Sequence, residues 1–431
     1  MRKVEEATDS QPRRCYLPHH PVVKESSTTT KGRVVFDASC WTASGISLND
    51  GLFAGPVIQD DLRSIVFRCR TRPFMVVADV EKMFRQVYVA QEDRWMQNIL
   101  WRFDMKEQPV TYELNTITYG MKPSPYLATR TLQQLAMDEH QKYPLASKVV
   151  QEDIYMDDLI SGADDLTSAC ELTRQLNAMM HSAGFHLRKW ACNHPLPLEG
   201  LPNEDLAIRE SGVKLDPDPT VKTLGINWLP KTDTFKLQFN TPIVEVTKRL
   251  TKRTLLSVIA TLFDPLGLVG AAITTAKLFM QHLWTLSSPR GGNSGWDEYL
   301  PEAVELKWRR FHAQIPAFDY IRIPRYVMMP DTVSLEMHSS SDASEKAYGA
   351  CVYLRCKDAT GRIMVFLLAS KSRVAPLDSQ SLPRLELCGA LIAAELFERV
   401  RTAMHLEGDI FYWCDSTTVT GRSSDMDNLR G

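Results

Sequence analysis

The chain has no apolar run approaching the roughly 18 residues of a helical membrane span, so no membrane passage is expected. Its nine cysteines contain no CxxC and no paired zinc spacing, which points to reduced thiols in an intracellular protein. No period of about 20–50 residues recurs, which removes solenoids and propellers. Residues 1–8 carry Arg2, Lys3, Glu5 and Glu6 without an apolar core, so they do not read as a secretory signal. Nor is one charge in excess: 50 basic and 52 acidic side chains leave a formal net charge of −2. That balance argues against a uniformly basic nucleic-acid coat but leaves room for a local groove. Two places are locally basic. The first 35 residues hold Arg2, Lys3, Arg13, Arg14, Lys24, Lys31 and Arg33. Later, Lys248, Arg249, Lys252 and Arg253 stand at i and i+4, which on a helix makes two adjacent cationic pairs facing nucleic acid or merely solvent.

What is present is a globular composition, 44% hydrophobic and 24% charged over 431 residues, enough for about two to four domains. Residues 1–60 are loop-rich. The apolar run 74–78 reads as a buried strand ending at Asp79. Apolar spacing predicts helices over 126–140 and 166–183. Val149-Val150 and then 154–160 read as strand, tight turn, strand around Asp157-Asp158. Strands are expected near 224–229 and 235–239, and a mostly helical stretch over 243–312 breaks at Asp264-Pro265-Leu266-Gly267. Three strands at 333–339, 348–354 and 363–369, a helix at 382–404 and a strand at 409–414 give a separate α/β domain.

The acids matter by position. Asp79 closes one apolar strand, and Asp157-Asp158 sits at the tip of Ile154-Tyr155-Met156-Asp157-Asp158-Leu159-Ile160. Adjacent carboxylates between apolar residues repel and lose hydration, so a nearby cation keeps them ionised. Mg2+ suits such oxygen donors, and two ions roughly 3.5–4 Å apart stabilise both the attacking and the leaving oxygen of phosphoryl transfer. The plain alternative is turn chemistry, which Asp also favours.

The wider context resembles retroelement reverse transcriptases. Val76-Val77-Ala78-Asp79-Val80-Glu81-Lys82-Met83-Phe84 is similar to the first palm motif, which implies that Asp79 binds both metals and that Phe84 excludes a ribose 2′-hydroxyl. Tyr155-Met156-Asp157-Asp158 looks like the family's metal-binding hairpin. Arg33-Val34-Val35-Phe36-Asp37 resembles the fingers segment whose Arg meets the incoming triphosphate, with Lys24 as a second cation. Gly120-Met121-Lys122-Pro123-Ser124-Pro125 looks like the Gly-x-x-x-Ser-Pro segment, implying template and nucleotide support from Gly120, Ser124 and Pro125. Tyr119 stands where many retroviral enzymes have Gln and is a candidate nucleotide contact. Gly184-Phe185-His186-Leu187-Arg188-Lys189-Trp190 is similar to the next palm motif, making Lys189 either the proton donor to pyrophosphate or a structural surface lysine. Leu224-Gly225-Ile226-Asn227-Trp228 resembles the primer-gripping hairpin, with Gly225 approaching the primer and Trp228 either assisting or in the core. Tyr16-Leu17-Pro18-His19-His20-Pro21-Val22, Phe36-Asp37-Ala38-Ser39 and Leu262-Phe263-Asp264-Pro265-Leu266-Gly267-Leu268 look most like BEL/Pao polyproteins.

The last domain resembles ribonuclease H. Asp342 lies at a strand end, Glu386 near a helix start and Asp415 at another strand end, implying three more metal ligands. The fold expected is therefore an α+β right-hand polymerase followed by a C-terminally incomplete α/β ribonuclease H-like domain of impaired activity. Its parts are a lead-in over 1–30, fingers and palm over 31–230, a thumb or connection over 231–325 and the ribonuclease H-like domain over 326–431. The function expected is RNA-directed DNA polymerisation with two Mg2+ ions, Mn2+ being an alternative. RNA template, DNA primer or hybrid duplex and dNTPs are the partners, in cytoplasm, virus-like particle or nucleus. One alternative is a retroelement relic that binds primer–template without copying it. Another, an aspartic peptidase, lacks its Asp-Thr/Ser-Gly loop: Asp415-Ser416-Thr417 has no Gly, and Asp264-Pro265 has no hydroxyl.

Overall fold

The computed structural model describes residues 1–4, 14–23, 32–208, 220–223, 225–237, 239, 249–286, 295–378 and 380–420. Lys24, Lys248 and Leu224 lie outside them. After β1 (Arg2–Lys3), strands β2 (His19–Val23) and β3 (Gly32–Phe36) form an antiparallel hairpin with Val22 opposite Arg33. Next come α1 (Leu62–Cys69), β4 (Phe74–Val80), α2 (Met83–Gln86), β5 (Asn98–Trp101) and β6 (Val110–Glu113). Strands β1, β6 and β5 make a small sheet in that order. Helices α3 (Ser124–Asp138) and α4 (Pro144–Glu152), hairpin strands β7 (Ile154–Tyr155) and β8 (Asp158–Ala163), helix α5 (Leu166–Ser182) and strand β9 (Leu187–Cys192) follow.

The sheet that matters most has the order β7-β8-β4-β9. An interior strand must be apolar nearly throughout, which is why β4 reads Phe-Met-Val-Val-Ala before its carboxylate. Val76, Ala78 and Val80 share a core with Leu132 and Ala136 of α3, Val149 and Val150 of α4, and Leu172, Leu176 and Met179 of α5. The strand expected at Val149-Val150 is thus helix α4. A β-branched pair on a buried helical face mimics strand composition, and tertiary burial outweighs the small intrinsic preference.

The chain divides into two compact units: residues 1–61 with 76–210, and residues 62–75 with 211–431. In the second, β10 (Val221–Thr223), β11 (Ile226–Leu229), β12 (Thr234–Lys236) and β13 (Arg322–Pro324) form an antiparallel sheet in chain order. Between its last two strands run α6 (Lys252–Ile259), α7 (Gly270–Trp284) and α8 (Glu302–His312). Then come β14 (Thr332–Ala343), β15 (Ala347–Asp358), β16 (Ile363–Val374), α9 (Leu382–Met404) and β17 (Asp409–Trp413). Their sheet has the order β16-β15-β14-β17, with β17 parallel to β14.

Two arginines fix this unit. Arg325 has no exposed surface; it makes a two-point ion pair with Asp233 at 2.7 and 2.6 Å and donates to carbonyls of Cys69, Arg72 and Pro73. Arg70, also buried, donates to carbonyls of Pro324, Arg325 and Leu368. Burial pulls its pKa down to about 10, with the Arg325 charge also lowering it. The Asp-Pro-Leu-Gly break has a structural reason too. Asp264 accepts from the backbone N–H groups of Leu268 and Val269 at 2.9 and 2.8 Å, just ahead of α7. Gly267, at φ +75°, leaves no room for a Cβ, which would lie 2.0 Å from the Ser370 carbonyl oxygen. Helix α7 then covers the edge strand β16, with Thr274 bonded to Ser372 at 2.6 Å and Lys277 to the Ser372 carbonyl at 3.1 Å. Among the described residues no helix is long and apolar enough to cross a membrane.

Candidate active site

Asp79 leaves β4 one residue before its end, beside a register shift in the pairing with β9 that places it opposite Arg188. The β7–β8 hairpin turns on Met156 and Asp157, and Met156 takes φ +57° to close it. The Val80 N–H donates to the Asp157 carbonyl at 2.7 Å, so Asp79 and the Asp157-Asp158 turn are brought side by side. Lys189, itself at φ +56°, puts Nζ 2.7 Å from Asp79 Oδ2. Loss of hydration raises the Asp157 pKa, and the Asp79 charge raises it further; the turn's backbone donor, Lys189 and Arg33 oppose the rise. Among the described residues, Asp79, Asp157 and Asp158 do not form a group whose ligand atoms all lie within 4.8 Å of one another.

Around this centre, Arg33 projects from the β2–β3 hairpin with its side chain exposed. Phe84 is half-buried against the palm core. Tyr119 packs edge-on to Phe36, and the Arg85 guanidinium lies 5.1 Å from the centre of its ring and 5.4 Å from that of Phe36. Gly120 has φ +92°, and a Cβ there would stand 2.4 Å from the Phe36 carbonyl oxygen, so only glycine fits. Ser124 is buried and donates to the Thr118 carbonyl at 2.6 Å, while Pro125 is exposed in the first turn of α3.

Other expected contacts fall elsewhere. Trp228 is fully buried and donates to Asp233 at 3.0 Å, so it offers no surface to a primer. A Cβ on Gly225 would lie 2.7 Å from the Phe263 ring, so the close neighbour that demands glycine is Phe263. The basic quartet does not form one helical face, because Thr251 caps α6 through a reciprocal bond with Thr254 and Arg249 precedes the helix. Lys252 is buried with its ammonium 5.5 Å from the centre of the Trp284 ring. Arg253 is paired with Asp297 at 2.7 and 2.9 Å, and Arg249 donates to the Leu300 carbonyl.

A network that sequence reading passed over supports Asp79. Arg188 reaches Glu81 at 3.0 Å and Asp205 at 3.5 Å, and His186 meets Asp205 at 2.8 Å. Burial would raise the Glu81 pKa, but hydrogen bonds from Arg188 and Lys82 outweigh it and leave it lowered. The nearest signal was the acid two positions after Asp79 and the Arg beside Lys189.

The second acidic site lies in the second unit. Asp342 is the last residue but one of β14, Glu386 sits in the second turn of α9, and Asp415 follows β17 by two residues. Desolvation raises the Glu386 pKa, and the charges of Asp342 and Asp415 add to it. Among the described residues, however, the group whose ligand atoms lie within 4.8 Å of one another is Glu386, Cys414 and Asp415.

Residues 29–227 match the family of reverse transcriptases (RNA-dependent DNA polymerases), and residues 251–416 match the Pao retrotransposon-like RNaseH-like domain. The chain is a reverse transcriptase and ribonuclease H-like region of the Pao retrotransposon type. No curated protein matches this Pao-type region. Among solved structures it is similar to the foamy viral protease-reverse transcriptase dRH in complex with double-stranded DNA, at 15% identity and TM-score 0.56, covering 94% of this chain and 60% of that one. It is also similar to the foamy viral protease-reverse transcriptase in complex with RNA/DNA hybrid, at 15% identity and TM-score 0.54, covering 93% and 45%. The Pao-type region therefore shares their fold and spans less than two thirds of their length.

Proposed function

We propose that the Pao-type region is an RNA-directed DNA polymerase that extends a DNA primer on an RNA template with dNTPs. The observation that carries this reading is the union of Asp79 with the Asp157-Asp158 turn through the Val80–Asp157 hydrogen bond. An all-oxygen donor set suits a hard ion such as Mg2+, and the Asp79–Asp157 repulsion is of the kind that a cation relieves. Asp79, Asp157 and Asp158 would hold two such ions, whose charge would favour both the attacking 3′-oxygen and the leaving oxygen of the triphosphate. Arg33 presents a planar guanidinium to the triphosphate. The Phe84 ring restricts room at the sugar 2′ position, and Lys189 exchanges Asp79 for the leaving pyrophosphate and gives it a proton. Cleavage of RNA at the second site is expected to be weak, since Asp342 Oδ1 accepts from its own neighbour Ala343 and lies outside the close group. The compartment this reading implies is cytoplasm, a virus-like particle or the nucleus.

Primer extension on an RNA template with Mg2+ tests the proposal: the unaltered chain extends the primer and Asp157→Asn does not. Binding without extension by the unaltered chain would make it a non-catalytic primer–template binder, and cleavage of a peptide would overturn both readings.

A further inference from the structure

The close group made by α9 and the residues after β17 contains a donor that hard-ion chemistry does not require. Cys414 Sγ, an oxygen of Glu386 and an oxygen of Asp415 lie within 4.8 Å of one another. Glu386 is only 9% exposed, and its Oε2 has no hydrogen-bond partner. A carboxylate oxygen so buried and without a donor is costly until a cation meets it. Carboxylates alone favour Mg2+ or Ca2+, whereas a thiolate moves the preference toward zinc and other thiophilic ions. Around a shared tetrahedral ion, donors at about 2.3 Å for sulfur and about 2.1 Å for oxygen stand about 3.6 Å apart. Within 4.8 Å, the present donors reach that spacing by moving at most about an ångström. Cys414 and Asp415 follow the last residue of β17 and keep solvent access, so changes of side-chain rotamer supply that movement.

We propose that Cys414, Glu386 and Asp415 form a binding site for one thiophilic divalent ion of the zinc and cadmium class, with water completing the tetrahedron. Binding releases the Cys414 thiol proton to solvent. The ion engages two of the three carboxylates of the ribonuclease H-like site, so it blocks that site rather than serving it. None of these three residues belongs to the polymerase site.

The test is a titration of the full chain with Cd2+, followed by the ultraviolet thiolate-to-cadmium charge-transfer band. Far-UV circular dichroism of each variant confirms folding. The unaltered chain and Cys40→Ser, which removes an exposed thiol elsewhere, should show a band saturating at one equivalent that Zn2+ abolishes and Mg2+ does not. Cys414→Ser should lose that equivalent. Glu386→Gln should keep the band but weaken Cd2+ by at least about tenfold, since even outer-shell changes cost that much. A folded Cys414→Ser that keeps the saturable band would overturn the proposal. So would unchanged affinity in Glu386→Gln, which would leave Cys414 as an isolated thiol.

Discussion

Asp233→Asn isolates the charge that balances Arg325. The substitution keeps the side-chain size, and Asn tolerates the left-handed φ of +50° that Asp233 adopts. What it removes is the negative partner of a guanidinium with no exposed surface, leaving the Arg325 charge against neutral carbonyls of Cys69, Arg72 and Pro73. Breaking a buried ion pair from one side costs about 3–5 kcal/mol. The Asp233 side chain is itself about a quarter exposed, and Asn keeps one acceptor, so the lower end applies, about 3 kcal/mol. For a unit of this size that corresponds to a melting transition lowered by roughly 6–12 °C. Differential scanning calorimetry of the full chain reads it as a shift of one transition, with the other unmoved. Adding Arg325→Met to Asp233→Asn should cost little more than Arg325→Met alone, because the two act through one pair. A melting profile of Asp233→Asn within about 1 °C of the unaltered chain would refute the reasoning.

Three further outcomes follow from the polymerase site. Because the Asp157 pKa is raised in the folded state, its ionised form opposes folding. The stability it contributes is full below the ordinary aspartate pKa of about 3.9 and is lost as pH rises through the raised value. Asp157→Asn should therefore melt higher than the unaltered chain at neutral pH, with the gap closing in acid, and Mg2+ should raise the melting temperature of the unaltered chain alone. Phe84→Val should improve incorporation of ribonucleotides relative to deoxynucleotides by at least about tenfold in steady-state competition, worth about 1.4 kcal/mol. Lys189→Met should lower kcat by about 100-fold while leaving the dNTP KM within a few-fold, as loss of a general acid does. A fall in folded yield with unchanged kcat would make Lys189 merely structural.

Parts of this molecule are plain in the sequence because local pattern and tertiary need coincide. Strand β4 is apolar because it is buried on both sides, and its Asp79 stands out against that background. Helix α9 was expected over 382–404 and spans Leu382–Met404, since its apolar spacing faces β14 and β15. Where tertiary context decides, the pattern misleads. Val149-Val150 looks like a strand but lies on the buried face of α4. The charges at Lys252 and Arg253 look like a nucleic-acid face, but one lies over Trp284 and the other answers Asp297. Arg70 and Arg325 were invisible because arginine is normally exposed, and only the folded carbonyls around them explain their burial. Cys414 was passed over as one scattered thiol, because the convergence of strand end and helix start is a tertiary fact.

The central claim is tested most directly by single-turnover primer extension on an RNA template with Mg2+, comparing the unaltered chain with Asp79→Asn and Asp157→Asn at matched primer–template occupancy. The unaltered chain should incorporate dNTPs and each variant should lose at least about 1,000-fold, in line with about 4 kcal/mol per lost transition-state contact. Equal extension by Asp157→Asn, or none by a folded unaltered chain that binds the duplex, would contradict it.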